Sequence, residues 1–135
     1  MNWFLAKSEP DTYSIDDLQR DVRTAWDGVT NPQAVKVIRS MRPGDSVLIY
    51  HSGKESRIVG VARVLSEPRD DPKNPKSAVV DLEYSGRVAP PLPLSEVKAS
   101  GEFGEWALVR QGRLSTMAVP EAFIAWMKAS GRNVG

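Results

Sequence analysis

The chain has 135 residues, of which 41% are hydrophobic and 26% charged, so we expect a single globular domain over residues 1–135. A net charge of +1 argues against a protein that coats nucleic acid through many unneutralised cations, so any nucleic-acid binding must depend on a local site. With no cysteine and one histidine, we expect no metal site and no cofactor. No apolar run approaches the length of a bilayer span, so we expect a cytoplasmic, monomeric protein with no membrane contact.

The N-terminal third of the sequence predicts a strand followed by two capped helices. Residues 3–6 form a short apolar run that is typical of a first strand. Ser14, with an aspartate three residues later, makes a capping-box pattern that begins a short helix ending near residue 20. Asn31 precedes a proline and an apolar pattern at helical spacing, which predicts a second helix over residues 32–41.

The middle of the chain predicts β-structure. The apolar, β-branched runs at residues 47–50 and 58–65 are separated by a polar turn, which predicts a hairpin. Gly60, inside the second run, predicts a bend or the close approach of another backbone. Residues 66–77 contain three prolines among charged residues and predict a solvated loop, after which residues 78–84 resume strand character.

The last third predicts short helices after a break. Residues 90–93 contain three prolines and are expected to interrupt regular structure. Residues 95–99 predict a short helix capped by its serine, and residues 106–109 form the last apolar segment, with a strand end beside them. Residues 120–130 have one apolar face at helical spacing and are followed by a glycine suited to a C-cap.

The adjacent His51 and Ser52 are the first pair to test for catalysis. In an extended segment neighbouring side chains point to opposite faces, so His51 is poorly placed to act as a base toward Ser52. The chain also has no glycine-rich phosphate loop of the nucleotide-binding types. The sequence therefore predicts a protein that is not an enzyme, with no catalytic residues.

Trp26 is a candidate for ligand binding because it lies outside any periodic apolar face. We expect it in a loop, where it can serve as an exposed platform for a planar ligand. The alternative is that Trp26 closes one end of a barrel, since most large aromatic side chains are structural. Both interpretations stand at the level of the sequence.

A second candidate is the segment from Arg110 to Arg113. Its two guanidinium groups flank a glutamine and a glycine, which is a plausible arrangement for holding phosphate. From the spacing alone, a solvated loop explains the segment equally well.

Five motifs together resemble the ordered signature of the EVE family, and they cover nearly the whole chain. They are Lys7-Ser8-Glu9-Pro10, then Trp26-x-Gly28-Val29-x-Asn31, Gly44-Asp45, Tyr50-His51-Ser52, and Arg110-Gln111-x-Arg113-Leu114-Ser115. Two positions depart from the family pattern, since Thr30 stands where an arginine is usual and Gly112 where a serine is frequent.

The resemblance implies an α+β fold, a PUA-like open β-barrel of about five to six strands with flanking helices. EVE domains are considered relatives of YTH domains, which bind methylated adenine in RNA through an aromatic cage, and EVE members are associated with modified cytosines in DNA. Trp26 is similar in order and spacing to a cage tryptophan. The resemblance therefore implies a non-catalytic nucleic-acid reader with a modified base in an aromatic pocket.

The residues expected at this site fall into two sets. The base-binding set is Trp26 as the stacking platform, Tyr84 as a second wall, and Lys7, Ser8, Asn31 and Ser52 as polar contacts. The phosphate-binding set is Arg110, Gln111 and Arg113. The expected partner is a single-stranded or flipped-out nucleic acid, DNA or RNA, with 5-methylcytosine or 5-hydroxymethylcytosine as first candidates. The alternative is a module that binds a small metabolite or a protein in the same pocket.

Overall fold

A computed structural model describes residues 1–132 and 134 of the chain. The strands are β1 (Trp3–Ser8), β2 (Arg23–Trp26), β3 (Ser46–His51), β4 (Arg57–Val64), β5 (Arg69–Asp71), β6 (Asn74–Pro93) and β7 (Thr116–Ala118). The helices are α1 (Ile15–Asp21), α2 (Pro32–Ser40), α3 (Leu94–Ala99), α4 (Ala107–Arg110) and α5 (Glu121–Ala129). None of the helices in these residues is long and apolar enough to span a bilayer.

The strands of the described residues form one seven-stranded sheet in the order β2-β6-β4-β3-β1-β7, with β5 paired to β6. Strands β1 and β3 are parallel, whereas the other pairs are antiparallel. The two terminal strands, β2 and β7, do not pair with each other, so the sheet stays open. This is the PUA-like α+β open barrel that the resemblance implies, with seven strands instead of five to six.

The core follows from the strand and helix patterns in the sequence. All six residues of β3 are buried, and β3 pairs with β4 as the predicted hairpin. A Cβ added to Gly60 would lie 2.3 Å from Ile15 Cδ1 and 3.0 Å from the Gly86 carbonyl oxygen, which confirms the predicted close approach. The fully buried Phe123 of α5 packs edge to face on Phe103, with ring centroids 5.1 Å apart.

Both predicted helix caps in the first third are confirmed. The Ser14 side chain accepts a hydrogen bond from the Asp17 backbone N–H, and the Asp17 carboxylate accepts one from the Ser14 N–H at 2.9 Å. The Asn31 side-chain oxygen accepts from the N–H groups of Gln33 and Ala34 at 2.8 and 3.1 Å. These bonds satisfy donors that have no partner within the first turn of a helix.

The prediction that Trp26 lies in a loop is wrong, because it is the last residue of β2 and pairs with Val80 of β6. The four residues of β2 alternate between exposed and partly buried, so the strand carries no apolar run that would have marked it. Strand β2 forms because it pairs with β6, and not because its own residues favour a strand.

Strand β6 overturns two further predictions. The expected loop at residues 66–77 contains β5 and the start of β6, which pair with each other. The expected break at residues 90–93 lies inside β6, which runs through Pro93 and pairs with Arg57 there. Two of these prolines fall between the Gly60–Arg87 and Ile58–Leu92 pairs, where the register shifts. A strand tolerates proline at such an irregularity because fewer ladder bonds are required.

The C-terminal third differs from expectation in three elements. Helix α3 begins at Leu94 after Pro93, with no side-chain cap from Ser95. Residues 106–109 lead into the short helix α4 instead of a strand, and β7 was not predicted. Helix α5 is confirmed, and the glycine after its C-cap Ser130 adopts the left-handed conformation, with φ +88°.

Candidate nucleic-acid interface

A cavity of about 480 Å³ lies across the opening of the barrel. One wall comes from the end of β2 and the loop after it, through Trp26 and the residues that follow as far as Asn31. The facing wall comes from the end of β1, through Lys7 and Ser8, and from Arg113 and Ser115 just before β7. Because β2 and the β1–β7 pair form the two ends of the sheet, the cavity occupies the gap that keeps the barrel open.

The aromatic part of the cavity is formed by Trp26 and Tyr13. Their rings meet edge to face, with centroids 6.3 Å apart and planes at 85°. Both side chains are partly buried, and the Tyr13 hydroxyl donates to the Asp21 carboxylate at 2.9 Å. Burial raises the pKa of Tyr13. Tyr13 therefore packs against Trp26 within the cavity lining, in the edge-to-face geometry that aromatic pairs prefer.

Tyr13 was not among the predicted site residues. It lies in the turn between β1 and α1, where its backbone oxygen accepts a hydrogen bond from the Ser8 hydroxyl at 2.6 Å. The only sequence signal for it was its position five residues after the serine of the first family motif. Its contact with Trp26 depends on the tertiary fold, which spacing along the chain does not reveal.

Lys7 supplies the half-buried charge of the opposite wall. Its ammonium group donates to the Gly112 carbonyl oxygen at 3.0 Å and lies 5.4 Å from the centre of the Tyr50 ring. Burial lowers the pKa of Lys7. No carboxylate within the described chain lies at ion-pair distance from this amine, so a bound anion would supply its first opposite charge.

Ser8 and Asn31 both line the cavity. The Ser8 hydroxyl hydrogen is used on Tyr13, so its oxygen faces a ligand as an acceptor. The Asn31 side-chain oxygen is used twice in capping α2, so the amide NH₂ is the end that remains for a ligand. The fold therefore fixes the hydrogen-bonding role of both side chains.

Ser52 and Tyr84 do not line the cavity. The Ser52 backbone N–H donates to the Ser8 oxygen at 3.0 Å, which places Ser52 directly behind the wall. Tyr84 lies on β6, four residues beyond the partner of Trp26, and its N–H donates to the Val22 oxygen before β2 begins. At about 3.3 Å per strand residue, Tyr84 is roughly 13 Å along the sheet from the Trp26 position. The expectation that Tyr84 forms a second wall is therefore corrected, and Tyr13 takes that place.

The predicted phosphate-binding residues separate in the structure. Arg113 lines the cavity, whereas Arg110 and Gln111 do not. Arg110 is the last residue of α4 and pairs with Glu105 at 2.9 Å, and Gln111 is the exposed C-cap of that helix. The expected strand end at this segment is a helix end, and of the three residues only Arg113 lines the cavity.

His51 is committed to structural contacts. Its Nε2 accepts from the Ile15 backbone N–H at 3.0 Å, and its Nδ1 donates to the Glu55 carboxylate at 2.9 Å. The bond with His51 lowers the pKa of Glu55. Both ring nitrogens are thus occupied in holding the start of α1, and neither faces the Ser52 hydroxyl.

Residues 2–129 match the family model described as the EVE domain. The chain belongs to the EVE domain family. Thymocyte nuclear protein 1 of Homo sapiens is 32% identical over 124 residues, covering 71% of this chain and 55% of that protein. The protein of the same name from Gallus gallus is 34% identical over 125 residues, covering 72% of this chain and 51% of its own length. This EVE domain chain spans about half the length of the curated relatives that it matches.

Solved EVE-like structures match nearly the whole chain. The NMR structure of Rpa0253 from Rhodopseudomonas palustris has a TM-score of 0.89 and 32% identity, covering 97% of this chain and 94% of that one. A crystal structure of human THYN1 in complex with DNA containing 5-methylcytosine has a TM-score of 0.86 and 25% identity, covering 98% and 99%.

Proposed function

We propose that this EVE domain is a non-catalytic reader of DNA that carries a modified cytosine, and that it holds the modified base in the cavity beside Trp26. The observation that carries the proposal is this aromatic cavity in a fold shared with human THYN1, which was crystallised with 5-methylcytosine DNA. The volume of about 480 Å³ lies within the range of about 300–1,000 Å³ typical of small-molecule sites.

In this proposal the base stacks on the Trp26 ring, next to Tyr13. A base–aromatic stack contributes on the order of 1–3 kcal/mol. Ser8 and Asn31 are placed to contact the polar edge of the base, one as an acceptor and one as a donor. Ser52 supports this arrangement from behind by holding the Ser8 backbone.

A base in this cavity has left its stack in the nucleic acid. Unstacking and unpairing cost a few kcal/mol in a duplex and less at weakened or single-stranded sites. The reader therefore acts on single strands or on flipped-out bases, as a monomer. A cytoplasmic location and the absence of catalysis are part of the same proposal.

The test is calorimetry with short single-stranded oligonucleotides that differ at one base. Cytosine, 5-methylcytosine, 5-hydroxymethylcytosine and N6-methyladenine are compared in DNA, and 5-methylcytosine and N6-methyladenine are repeated in RNA. One added methyl group in an apolar niche contributes about 1 kcal/mol, so we expect 5-methylcytosine to bind several-fold more tightly than cytosine.

The same series contains the outcomes that count against the proposal. Equal affinity for all four bases would reject modified-base recognition. A preference for methyladenine in RNA would move the domain toward the function of YTH proteins. Failure of every oligonucleotide to bind would favour the alternative, a module that binds a small metabolite or a protein.

A further inference from the structure

The cavity has a cationic wall as well as an aromatic one. Lys7 and Arg113 both line it, and the Lys7 amine is bonded to the carbonyl of Gly112, the residue that precedes Arg113. This hydrogen bond holds the Lys7 ammonium group beside the backbone that leads into Arg113. Two like charges that line one cavity repel each other, and a bound anion offsets that repulsion.

Arg113 is unusual among the arginines of this chain. Nine arginines have a carboxylate oxygen within ion-pair distance. Within residues 1–132 and 134, only Arg63 and Arg113 have none, and Arg113 alone of these two lines the cavity. Asp27 is the acidic residue in the cavity lining. It is exposed and directly follows Trp26, on the wall opposite Lys7 and Arg113.

We propose that the cavity is built for a complete nucleotide, with the base on Trp26 and one phosphate on Lys7 and Arg113, so that a free modified nucleoside monophosphate is itself a ligand. The inference rests on the proposed function, since it assigns the same cavity to a modified cytosine. It differs in requiring no neighbouring nucleotide. Hydrolysis of modified DNA by a nuclease is the class of reaction that supplies such a ligand.

The chemistry of the cationic wall suits a phosphate. The ammonium group of Lys7 keeps two N–H donors after its bond to Gly112, and the Arg113 guanidinium has a planar fork of donors. Charge-assisted hydrogen bonds to phosphate oxygens are shorter and stronger than neutral ones. A phosphate would also offset the burial that lowers the pKa of Lys7.

The experiment compares four soluble probes by calorimetry: 5-methyldeoxycytidine, its 5′-monophosphate, its 3′-monophosphate and inorganic phosphate. We expect one of the two monophosphates to bind at least about tenfold more tightly than the nucleoside. This advantage should decrease as salt is added. Inorganic phosphate alone should bind more weakly than the nucleotide, because it gains nothing from Trp26.

Three variants test whether Lys7 and Arg113 cause the tighter binding of the monophosphate. Lys7→Gln and Arg113→Gln should each reduce the advantage of the monophosphate over the nucleoside by about fivefold or more. Arg63→Gln is the matched control, because Arg63 is also exposed and lacks an ion pair in the described chain but lies on β4, away from the cavity. Melting temperatures establish that each variant is folded.

The outcomes separate this inference from the proposed function. If 5-methylcytosine oligonucleotides bind but the monophosphate is no tighter than the nucleoside, the inference is overturned and the DNA reader stands. If the monophosphate binds and the oligonucleotides do not, the inference stands and the DNA reader fails. If inorganic phosphate matches the nucleotide, or if no probe binds, the nucleotide site is overturned.

Discussion

Tyr13 meets Trp26 at an interplanar angle of 85°, with its hydroxyl group anchored to the Asp21 carboxylate at 2.9 Å. The contact joins the turn after β1 to the end of β2, so it connects the two ends of the open sheet across the cavity. Tyr13 thus helps to position the Trp26 ring beside the cavity.

Trp26→Ala should remove base binding and leave the fold cooperative. The loss is expected on the order of 1–3 kcal/mol of binding free energy, the usual contribution of one stacked base. Trp26 is only partly buried at the end of a four-residue strand, so its removal leaves most of the core unchanged. Calorimetry and thermal denaturation check both parts.

The matched contrast to that variant is Phe123→Ala. Phe123 is fully buried, and its loss should cost roughly 3–5 kcal/mol of folding stability. The variant should still bind the oligonucleotide at temperatures where it is folded. A Trp26→Ala protein that fails to fold would show that Trp26 mainly closes the barrel.

Asn31 allows capping and ligand binding to be tested separately. Asn31→Ala should cost about 1 kcal/mol of stability because the bonds to the Gln33 and Ala34 N–H groups are lost. Asn31→Asp keeps an equally good cap but replaces the NH₂ donor with a negative charge at the cavity. We expect normal stability and weaker binding for this variant, and unchanged affinity would limit Asn31 to capping.

Arg113→Gln should weaken oligonucleotide binding more than Arg110→Gln does, with little change in base preference, since phosphate contacts position without specifying sequence. Arg113 lines the cavity, whereas Arg110 is paired with Glu105 outside it. The salt dependence of the affinity should become shallower for Arg113→Gln. A larger effect from Arg110→Gln would indicate that the nucleic-acid backbone runs along α4 and not along the cavity.

His51→Ala should destabilise the protein by about 1–3 kcal/mol, because the Ile15 N–H at the start of α1 loses its buried acceptor. Since His51 has no contact with the cavity, ligand affinity at a temperature well below the melting point should be retained. Urea denaturation and calorimetry on the same sample give both quantities. Loss of binding without loss of stability would reopen a direct role for His51.

The Glu55 carboxylate should contribute to the dependence of stability on acid. Its pKa is lowered from the usual 4.5 by the bond to His51, so the folded state favours the charged form. The stabilisation is present above about pH 4.5 and is lost as the pH falls through the lower folded value. Glu55→Gln should therefore melt below the wild type at pH 7 and approach it near pH 3. Parallel melting curves across this range would contradict the assignment.

The sequence predicted the parts of this fold that local chemistry determines. Ser14 and Asn31 begin helices because each side chain bonds to N–H groups within the next three residues. The β3–β4 hairpin follows from two apolar runs close together in the chain. Lys7, Ser8, Trp26, Asn31 and Arg113 were placed at the site by their resemblance to family motifs, and the structure brings these five together.

The parts that the sequence did not predict depend on distant contacts. Strand β2 has no apolar run and exists because β6 pairs with it, and β6 continues past its prolines because the register shifts there. The Tyr13 ring contacts the Trp26 ring across the opening of the sheet. Tyr84 lies on the strand that pairs with β2, but four residues beyond the partner of Trp26. Neither relationship can be predicted from the spacing of these residues along the chain.

Stacking of the modified base on Trp26 is tested most directly by NMR. A single-stranded 5-methylcytosine oligonucleotide is added while the indole N–H signals of the four tryptophans are followed: Trp3, Trp26, Trp106 and Trp126. The three other indoles are internal controls, and Trp106 is bonded to the Ala118 oxygen at 2.9 Å in the core. We predict that the Trp26 signal alone shifts strongly, and that the unmodified oligonucleotide requires a several-fold higher concentration for the same shift. A Trp26 signal that stays in place while the oligonucleotide binds would contradict stacking of the base on Trp26.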